Sequence, residues 1–464
     1  MKNQIRIRNY SIKLLALSSF LFIVSCDDFV AVDRPNSQLT TDAVFENATT
    51  ATAAMVDVYA QMRENGLLTG KSFGISCLLG TYADELVSYE NGAYTTADFY
   101  NNSLLASDAF VSLLWNSSYN QIYAANAIFE GVGNSASLAP SDKNQLQGEA
   151  LFARALTYFY LVNLFGDVPY VSTTDYVYNS TVPRMATEVV YKNIIANLET
   201  AITLLPSDYS KADRTRPNKA TAQALLARVN LYHGDFAEAA NMASAVLNDT
   251  SLYIWDDNLD SVFLKESTST IWQLASGGEG ANTDEGSTFI FFSGPPELVA
   301  LSDNFVSQFE TNDLRKSHWI KTVTEGGGLW YHPYKYKQDI ASGSSLEYSI
   351  IFRLAEQYLI RSEARARQGD MIGAKEDLNK IRHTAGLPDT DATTQTTLLE
   401  AILQERKVEL FTEYGHRFFD LKRFGKLDAV LGTKPGWSAT DQLWPLPQSE
   451  LLVNPFLKPQ NSGY

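Results

Sequence analysis

Cysteine is scarce in this chain of 464 residues, which contains only Cys26 and Cys77. Two cysteines cannot supply the disulfide framework of a small secreted domain, nor a zinc site made of four thiolates. A chain of this length can bury a core large enough to fold without such support. We therefore expect Cys77 to be a small buried residue, and Cys26, which directly follows an apolar run, needs a different explanation.

The sequence also has fewer basic than acidic residues and lacks the common catalytic motifs. There are 37 Lys and Arg against 53 Asp and Glu, which gives a formal net charge of −16 and disfavours nucleic acids and anionic lipid headgroups as partners. The five histidines include no i, i+4 pair and no HExxH motif, so no zinc site is indicated. The sequence also has no P-loop, GxSxG or strand-linked GxGxxG motif, so it predicts neither a cofactor nor a known type of catalysis.

Residues 1–25 have the features of a secretory signal peptide. Basic residues come first and are followed by the twelve mostly apolar residues 14–25. Twelve helical residues rise only about 18 Å, which is too short for the roughly 30 Å hydrocarbon core of a membrane.

The end of the apolar run, Ile23 to Cys26, resembles a bacterial lipobox. That resemblance implies cleavage before Cys26 and acylation of its thiol and of the new amino terminus, including a chain such as palmitate. Several acyl chains hold a protein on a membrane far more firmly than one. An ordinary signal peptide cut elsewhere, which would leave Cys26 free, is the alternative. Residues 26–41 are polar and predict a lipid-anchored tether, followed by a single large domain over 42–464.

Helical periodicity runs through much of this domain. Apolar spacing predicts helices over 43–65, 107–130, 142–165, 187–205 and 218–232. For the third of these, Ser141 is the expected N-cap and Gly166 the expected end.

Two segments, 224–247 and 359–382, resemble each other: each has a helix, a Gly-Asp pair and a second helix. Gly234 and Gly369 can take the left-handed conformation that ends a helix, while Asp235 and Asp370 can cap the next one. These features predict a mainly α fold of tetratricopeptide-like helical hairpins. Because the two copies lie far apart along the chain, a regular solenoid is not predicted.

Two long insertions, 67–106 and 250–349, lack helical periodicity and are rich in aromatic residues. Long loops in a compact protein are commonly functional, and aromatic rings can stack on the apolar faces of sugar rings while polar neighbours bond the hydroxyls. In "EGGGLWY", we expect the three glycines to let the backbone swing and present Trp330 and Tyr331. The alternative for each ring is a place in a minor core beneath the loops. The predicted ligand-binding residues are Asp84, Tyr89, Asn91, Tyr94, Tyr100, Trp330 and Tyr331.

Two charged motifs predict structural roles. The "ERKVELFTEYGHRFFDLKR" segment, 405–423, predicts a partly buried ion network, because carboxylates beside several arginines stay ionised. The "DDNLD" segment, 256–260, has acidic and amide residues at calcium-loop spacing but lacks the required Gly and Glu, so it predicts an exposed turn.

Several segments resemble the SusD/RagB-like outer-membrane nutrient-binding lipoproteins. They are "GEALFARALTYFYLVNLFGDVPYV" (148–171), "RLAEQYLIRSEARARQGDMIGAKEDLNKIRHTAGL" (353–387), the charged segment 405–425 and the C-terminal 443–464. Departures are small: Tyr414-Gly415-His416 replaces a more usual Glu-Gly pair, and Ser462 a frequent proline.

This resemblance implies a SusD-like helical domain that binds a nutrient, most commonly an oligosaccharide and in some branches a peptide. It implies no enzymatic activity and no cofactor. It further implies a SusC-like TonB-dependent outer-membrane transporter as partner, over which the lipoprotein acts as a lid, and a location on the outer membrane facing the cell exterior. Two alternatives stay open: a periplasmic helical-repeat scaffold without glycan affinity, and a glycoside hydrolase using a pair such as Asp84 and Glu279.

Overall fold

Helices dominate residues 41–92 and 95–464, the part of the chain that the computed structural model describes. Residues 44–464 form one compact unit, as the prediction of a single mainly α domain requires. The α-helices are α1 (Thr41–Val44), α2 (Ala48–Glu64), α3 (Ile75–Tyr82), α4 (Thr96–Tyr100), α5 (Ala109–Asn134), α6 (Pro140–Phe165), α7 (Tyr176–Asn179), α8 (Thr187–Leu204), α9 (Lys219–His233), α10 (Phe236–Leu247), α11 (Asp284–Phe289), α12 (Asp303–Val306), α13 (Leu314–Trp319), α14 (Leu354–Gln368), α15 (Met371–Thr384), α16 (Gln395–Glu409), α17 (His416–Arg423), α18 (Leu427–Leu431) and α19 (Gln448–Val453). Two 3-10 helices, Ala439–Gln442 and Pro455–Leu457, flank α19.

The strands are short and pair in twos. They are β1 (Leu86–Ser88), β2 (Val168–Pro169), β3 (Arg184–Met185), β4 (Thr270–Leu274), β5 (Val299–Leu301), β6 (Ile320–Glu325), β7 (Gly328–Pro333) and β8 (Ser349–Arg353). The antiparallel pairs are β1 with β5, β2 with β3, β4 with β8, and β6 with β7. The two insertions therefore contain short helices and strands, although their sequences predict no regular elements.

The central helix is α6, which packs against both α5 and α8. From Gly148 to Phe165 nearly every residue is buried, as expected for a helix that is apolar on all sides. Its start differs from the prediction: Ala139 is the N-cap and Pro140 the first helical residue, so the assignment of Ser141 as N-cap is wrong. Proline suits the first position because its fixed φ is already helical and its missing N–H has no helical partner there. Gly166 ends the helix as predicted.

The two predicted hairpins are α9–α10 and α14–α15. Gly234 and Gly369 end their first helices with φ of 95° and 89°, in the left-handed region. Asp370 caps α15 by accepting from the backbone N–H of Gly373, whereas Asp235 makes no capping bond and instead lies against His233. Asp235 thus occupies the predicted N-cap position, but its side chain does not cap the helix.

The hairpins pack directly against each other although the chain separates them widely. Helix α10 lies against α14. The shared core there is largely alanine, with members Ala227, Leu231, Ala239, Ala243, Ile360 and Ala364. Small side chains let the helices approach closely, as the sequence predicts.

A second core lies beneath the insertions and is rich in aromatic side chains. Cys77 belongs to it and is fully buried, which confirms its predicted place and raises the pKa of its thiol. Across the described ranges 41–92 and 95–464, no helix is both long and apolar enough to cross a membrane.

Candidate functional site

The site lies where the two insertions meet. Strand β1 of the first insertion pairs with β5 of the second, with Leu86 opposite Leu301. The pairing extends by one residue, because the backbone N–H of Tyr89 donates to the carbonyl oxygen of Leu298 at 2.8 Å. Tyr89 is therefore held at the end of a small sheet.

A hairpin of β6 and β7 brings Trp330 to the same place. Gly326 and Gly327 form its two-residue turn with φ of 57° and 85°, which is the backbone geometry that a tight hairpin turn requires. Glu325 pairs directly with Gly328, so the strands are in register up to the turn. The expectation of a swinging glycine loop is thus wrong, since these glycines close a tight turn.

Trp330 is half-buried and packs on bare backbone. A β-carbon on Gly294 would lie 2.2 Å from Cε3 of the indole, and one on Gly328 would lie 2.2 Å from Cη2. A side chain at either position would displace the ring. The two glycines therefore form the floor on which Trp330 rests.

Tyr89 interacts with Trp330 and Tyr100. Partial burial raises the pKa of the Tyr89 hydroxyl, and the nearby Trp330 side chain opposes this shift. The nearby Asp303 carboxylate and Tyr100 hydroxyl raise the pKa further. Trp330 and Tyr100 are thus both near enough to the Tyr89 hydroxyl to affect its pKa, and we call these three residues the aromatic cluster.

Tyr100 is held in place by Lys434. The Nζ atom lies 5.0 Å from the centroid of the Tyr100 ring, a cation–π contact. The same Nζ donates to the carbonyl oxygen of Thr81. Burial lowers the pKa of Lys434 to about 7.

Tyr331 does not join Trp330 on the same surface. Neighbouring residues of a strand point to opposite faces, and Tyr331 packs against the core beneath the insertions. The expectation that "EGGGLWY" presents both rings together is corrected by this alternation. Any contact of Tyr331 with ligand stays a prediction.

Asn91 is exposed on the loop after β1, where its side-chain N–H donates to the carbonyl oxygen of Tyr89 at 3.4 Å. Its role in ligand binding stays a prediction. Tyr94 and Cys26 lie outside the described residues.

Asp84 belongs to an ion network. Its Oδ1 accepts from Nε of Arg417 at 2.7 Å, and its Oδ2 accepts from Nη2 of Arg417 at 2.8 Å and from Lys407 at 3.2 Å. Although burial alone would raise it, the pKa of Asp84 is lowered to about 2 by these cations. Both carboxylate oxygens are therefore engaged, and we assign no ligand contact to Asp84.

Other aromatic residues of the insertions lie in the core, as the structural alternative predicts. They include Tyr82, Phe99, Trp319 and Tyr336.

Three exposed residues of the second insertion escaped sequence reasoning. Phe292 is 77% exposed, two residues before Gly294, and Asp303 and Asn304 are exposed at the start of α12. The run "IFF" ahead of "SGPP" could have indicated an exposed apolar turn. Nothing local indicates Asp303, because β1–β5 pairing alone brings α12 near Tyr89.

The charged segment 405–423 forms the predicted buried network. Arg406 donates from Nε to Asp420 at 2.7 Å. Arg353 reaches Glu409 at 2.6 Å and Glu413 at 2.8 Å. All of these groups are buried, which confirms a structural role for the segment.

The segment 256–260 forms the predicted turn. Backbone N–H groups of Asn258 and Asp260 donate to the side chains of Asp256 and Asn258, each at 3.0 Å. The Asp260 carboxylate pairs with His318 and Lys337. Within the described ranges, no group of three or more His, Cys, Asp or Glu residues is placed to hold a metal ion.

Comparisons with known proteins cover both ends of the chain. Residues 32–231 match a SusD-like family model described as "Starch-binding associating with outer membrane", and residues 308–464 match the SusD family model. The chain belongs to the SusD/RagB family. Residues 232–307, which include Gly294 and β5, fall in neither match.

Curated relatives in the SusD/RagB family match over full length. SusD-like protein P2 of Formosa agariphila is 28% identical, with 98% of this chain and 100% of the relative covered. SusD-like protein P38 of the same organism is 26% identical over 99% of this chain and 100% of its own length.

Solved structures of similar fold include a SusD superfamily protein from Bacteroides vulgatus, with a TM-score of 0.76, 24% identity and coverage of 90% of this chain and 99% of that one. A laminarin-binding SusD-like protein has a TM-score of 0.75 and 24% identity, again with 90% of this chain and 99% of that chain covered. Surface glycan-binding protein A from Bacteroides fluxus has a TM-score of 0.73 and 21% identity, with 90% and 100% covered. These similarities agree with the mainly helical fold.

Proposed function

We propose that this protein binds an oligosaccharide at the aromatic cluster and passes it on without cleaving it. The observation that carries the proposal is the half-buried Trp330, held on a glycine floor and close to Tyr89 where the two insertions meet. A ring fixed in this way loses little conformational entropy when a ligand stacks on it.

The neighbours of the cluster suit a sugar. Sugar rings have apolar C–H faces that fit against an indole or phenol ring, and hydroxyl groups that need polar partners. Asp303 provides an exposed carboxylate near Tyr89, and the following residue, Asn304, offers an exposed amide. Phe292 provides a further exposed ring near Gly294.

Names of similar proteins agree with this choice of ligand. One matching family model is described as starch-binding, and two proteins of similar fold are named for binding laminarin and surface glycans. Starch and laminarin oligosaccharides are therefore the first probes to use.

The protonation and burial of the nearby acids support capture without hydrolysis. A glycosidase needs a protonated carboxylic acid beside a second carboxylate. Asp84, the acid proposed for a catalytic pair with Glu279, has its pKa lowered to about 2 and is paired with Arg417 and Lys407. Glu85, with a pKa raised to about 8 mainly by burial, is only 2% exposed and cannot reach a substrate.

The delivery step extends the proposal to a partner. Acyl chains on Cys26 and the polar tether 26–41 would hold the domain at the outer membrane, facing the cell exterior. There the protein would close as a lid over a SusC-like TonB-dependent transporter. Co-purification from native membranes tests this step: we expect a large outer-membrane β-barrel protein to accompany the full chain, and its absence from gentle detergent extracts would contradict the delivery role.

Trp330→Ala tests the binding site. We expect the variant to fold with unchanged thermal stability, because the half-buried ring lies outside the main core, and to bind oligosaccharide about 10- to 100-fold more weakly, since loss of an aromatic anchor costs roughly 1–3 kcal/mol. Titration calorimetry with maltoheptaose and laminarihexaose measures the affinity.

Trp437→Ala is the matched control, because Trp437 is also partly exposed but packs against Tyr82 and the main core. It should lower stability and leave affinity unchanged. Equal affinity of the parent protein and Trp330→Ala would remove the aromatic cluster from the site, and binding of neutral peptides instead of either saccharide would assign the protein to a peptide-binding branch.

A further inference from the structure

A groove runs between helices α2 and α5, in the first helical pair of the domain. Its volume is about 460 Å³, within the range of small-molecule sites. Five of the ten residues that line it carry side-chain amides, which come from both helices and the C-cap of α2. They are Gln61, Asn65, Asn116, Asn120 and Gln121, and we call this feature the amide groove.

Much of the hydrogen-bonding capacity of the groove is unused. Within the part of the chain that the structure describes, the exposed side chains of Asn116 and Asn120 have no intramolecular hydrogen-bond partner. Gln121 lines the same groove and is only 6% exposed, yet its side-chain nitrogen has no partner. Leaving a buried amide without a partner is unfavourable, so the position of this side chain is not explained by stability of the fold.

The residue composition of helix α5 also favours a ligand-binding role for these asparagines. The run "NSSYNQ", 116–121, lies in the middle of the 26-residue helix α5. Asparagine and serine are weaker helix formers than alanine, because their side chains compete for backbone hydrogen bonds. The two exposed asparagines form no side-chain hydrogen bond within the described part of the protein, so they do not offset this cost to the stability of the helix.

The chemistry of the lining selects a neutral ligand rich in hydroxyl groups. Each amide offers both a donor and an acceptor, which matches a hydroxyl that also does both. Of the residues lining the groove, only Asp57 is charged, so nothing there recognises a phosphate or a carboxylate. Tyr123, which is 51% exposed, follows Asn120 by about one turn and adds an exposed aromatic ring to this part of helix α5.

We propose that the amide groove is a second saccharide-binding site, separate from the aromatic cluster. The proposal goes beyond the function assigned to the cluster, because its residues lie on helices α2 and α5 and none is shared with the insertions. A polysaccharide with two contact sites on one protein gains avidity from the second site without needing high affinity there.

The test uses the full domain carrying Trp330→Ala, so that the aromatic cluster is weakened. Saturation-transfer difference NMR with maltohexaose or laminarihexaose at millimolar concentration should still give saccharide signals. Adding Asn116→Ala and Asn120→Ala should weaken binding at least about fivefold, as expected for losing two hydrogen bonds. The same pair should leave the melting temperature equal or higher, because alanine favours the helix.

Asn241→Ala in the Trp330→Ala background is the control, since Asn241 is an exposed asparagine on another helix, α10. It should leave the signals unchanged. Signals absent from the Trp330→Ala protein, or unaffected by the Asn116 and Asn120 changes, would overturn the second site. Signals from a neutral peptide but from neither saccharide would identify a polypeptide groove and overturn the second saccharide site as well.

An unchanged calorimetric affinity for Trp330→Ala would refute the aromatic site alone, because the second site depends only on the two asparagines.

Discussion

At the residue scale, burial separates aromatic side chains that hold the fold from those that can meet a ligand. Tyr82 is fully buried, and its hydroxyl donates to the carbonyl oxygen of Asp441 at 3.0 Å. Tyr89, only a few residues further along, is half-buried, and its hydroxyl faces Trp330. Both tyrosines lie in one insertion with similar composition, so residue type alone does not distinguish these roles.

Asp84 shows that residue type also fails to distinguish structural from ligand-binding roles among acidic residues. It stands in an aromatic, polar stretch that resembles a sugar site, but Arg417, 333 positions away in the chain, occupies its carboxylate at 2.7 and 2.8 Å. A partner so distant leaves no local signal. Sequence reasoning could predict the ion network on 405–423, where charges lie close together, but not that Asp84 belongs to it.

Asp84→Asn is expected to lower stability rather than affinity. The change leaves Arg417 and Lys407 buried without their anionic partner, a loss of roughly 3–5 kcal/mol in the free energy of unfolding. Chemical denaturation at pH 7 measures this loss. Calorimetry on the folded variant should give the parent affinity for oligosaccharide.

Asp391→Asn provides the comparison, because Asp391 is exposed and has no ion-pair partner in the described part of the chain. It should change neither quantity. An Asp84→Asn protein of normal stability that no longer binds saccharide would show that Asp84 is a ligand contact.

At the element scale, the helical hairpins were open to prediction and the insertions were not. A 3.6-residue apolar period and a Gly-Asp pair are local signals, and they predict α9–α10 and α14–α15 to within a few residues. The β1–β5 pair joins Leu86 to Leu301, far apart in the chain, and three-residue strands carry almost no periodicity. The three glycines at 326–328 were recognised, but whether they form a loose loop or a hairpin depends on β6 and β7 pairing in register.

Gly294→Ala tests whether the loop before β5 supports the hairpin tryptophan. Its β-carbon would lie 2.2 Å from Cε3 of Trp330, so the indole has to move off its floor. We expect oligosaccharide affinity to fall about tenfold or more, while the melting temperature changes little because the ring is not part of the main core. Calorimetry and thermal unfolding of the same preparation measure both.

Gly278→Ala serves as control, because a β-carbon there meets nothing within 4 Å. It should behave like the parent protein in both measurements. If Gly294→Ala binds as tightly as the parent, the position of Trp330 on this floor has no part in recognition.

At the scale of the whole molecule, the two family-model matches cover most of the long helices. The segment of chain between the two matched ranges is not covered. Residues 232–307 lie outside both matched ranges and include the loop of Phe292 and Gly294. Trp330 and Gly328 lie inside the second matched range, whereas Gly294, the other glycine beneath the indole ring, lies in the segment between the two matches. This explains why the fold and class could be predicted from sequence while the ligand could not.

Buried acids also give the molecule a pH dependence that belongs to the whole fold. Burial raises the pKa of Glu285 to about 7, although Ser349 and Tyr414 donate to it. A raised carboxyl pKa stabilises the folded state fully below the unfolded value of about 4.5, and this contribution is lost as pH rises through about 7. The shift corresponds to roughly 3 kcal/mol.

Glu285→Gln, which stays neutral at every pH, should remove this contribution. Relative to the variant, the parent protein should lose roughly 3 kcal/mol of unfolding free energy between about pH 4.5 and pH 8. The difference between the two proteins is the quantity to measure by denaturation, because His416, whose pKa is lowered by burial, acts in the opposite direction in both. Parallel profiles for parent and variant would show that Glu285 titrates normally in the folded protein.

The most direct measurement is a crystal structure of the protein with the oligosaccharide that binds it most tightly among those derived from starch and laminarin. We predict a sugar ring stacked on Trp330, with hydroxyl groups within hydrogen-bond distance of Tyr89 or Asp303. A saccharide bound elsewhere with Trp330 bare, or no bound saccharide at millimolar concentration, would contradict the account.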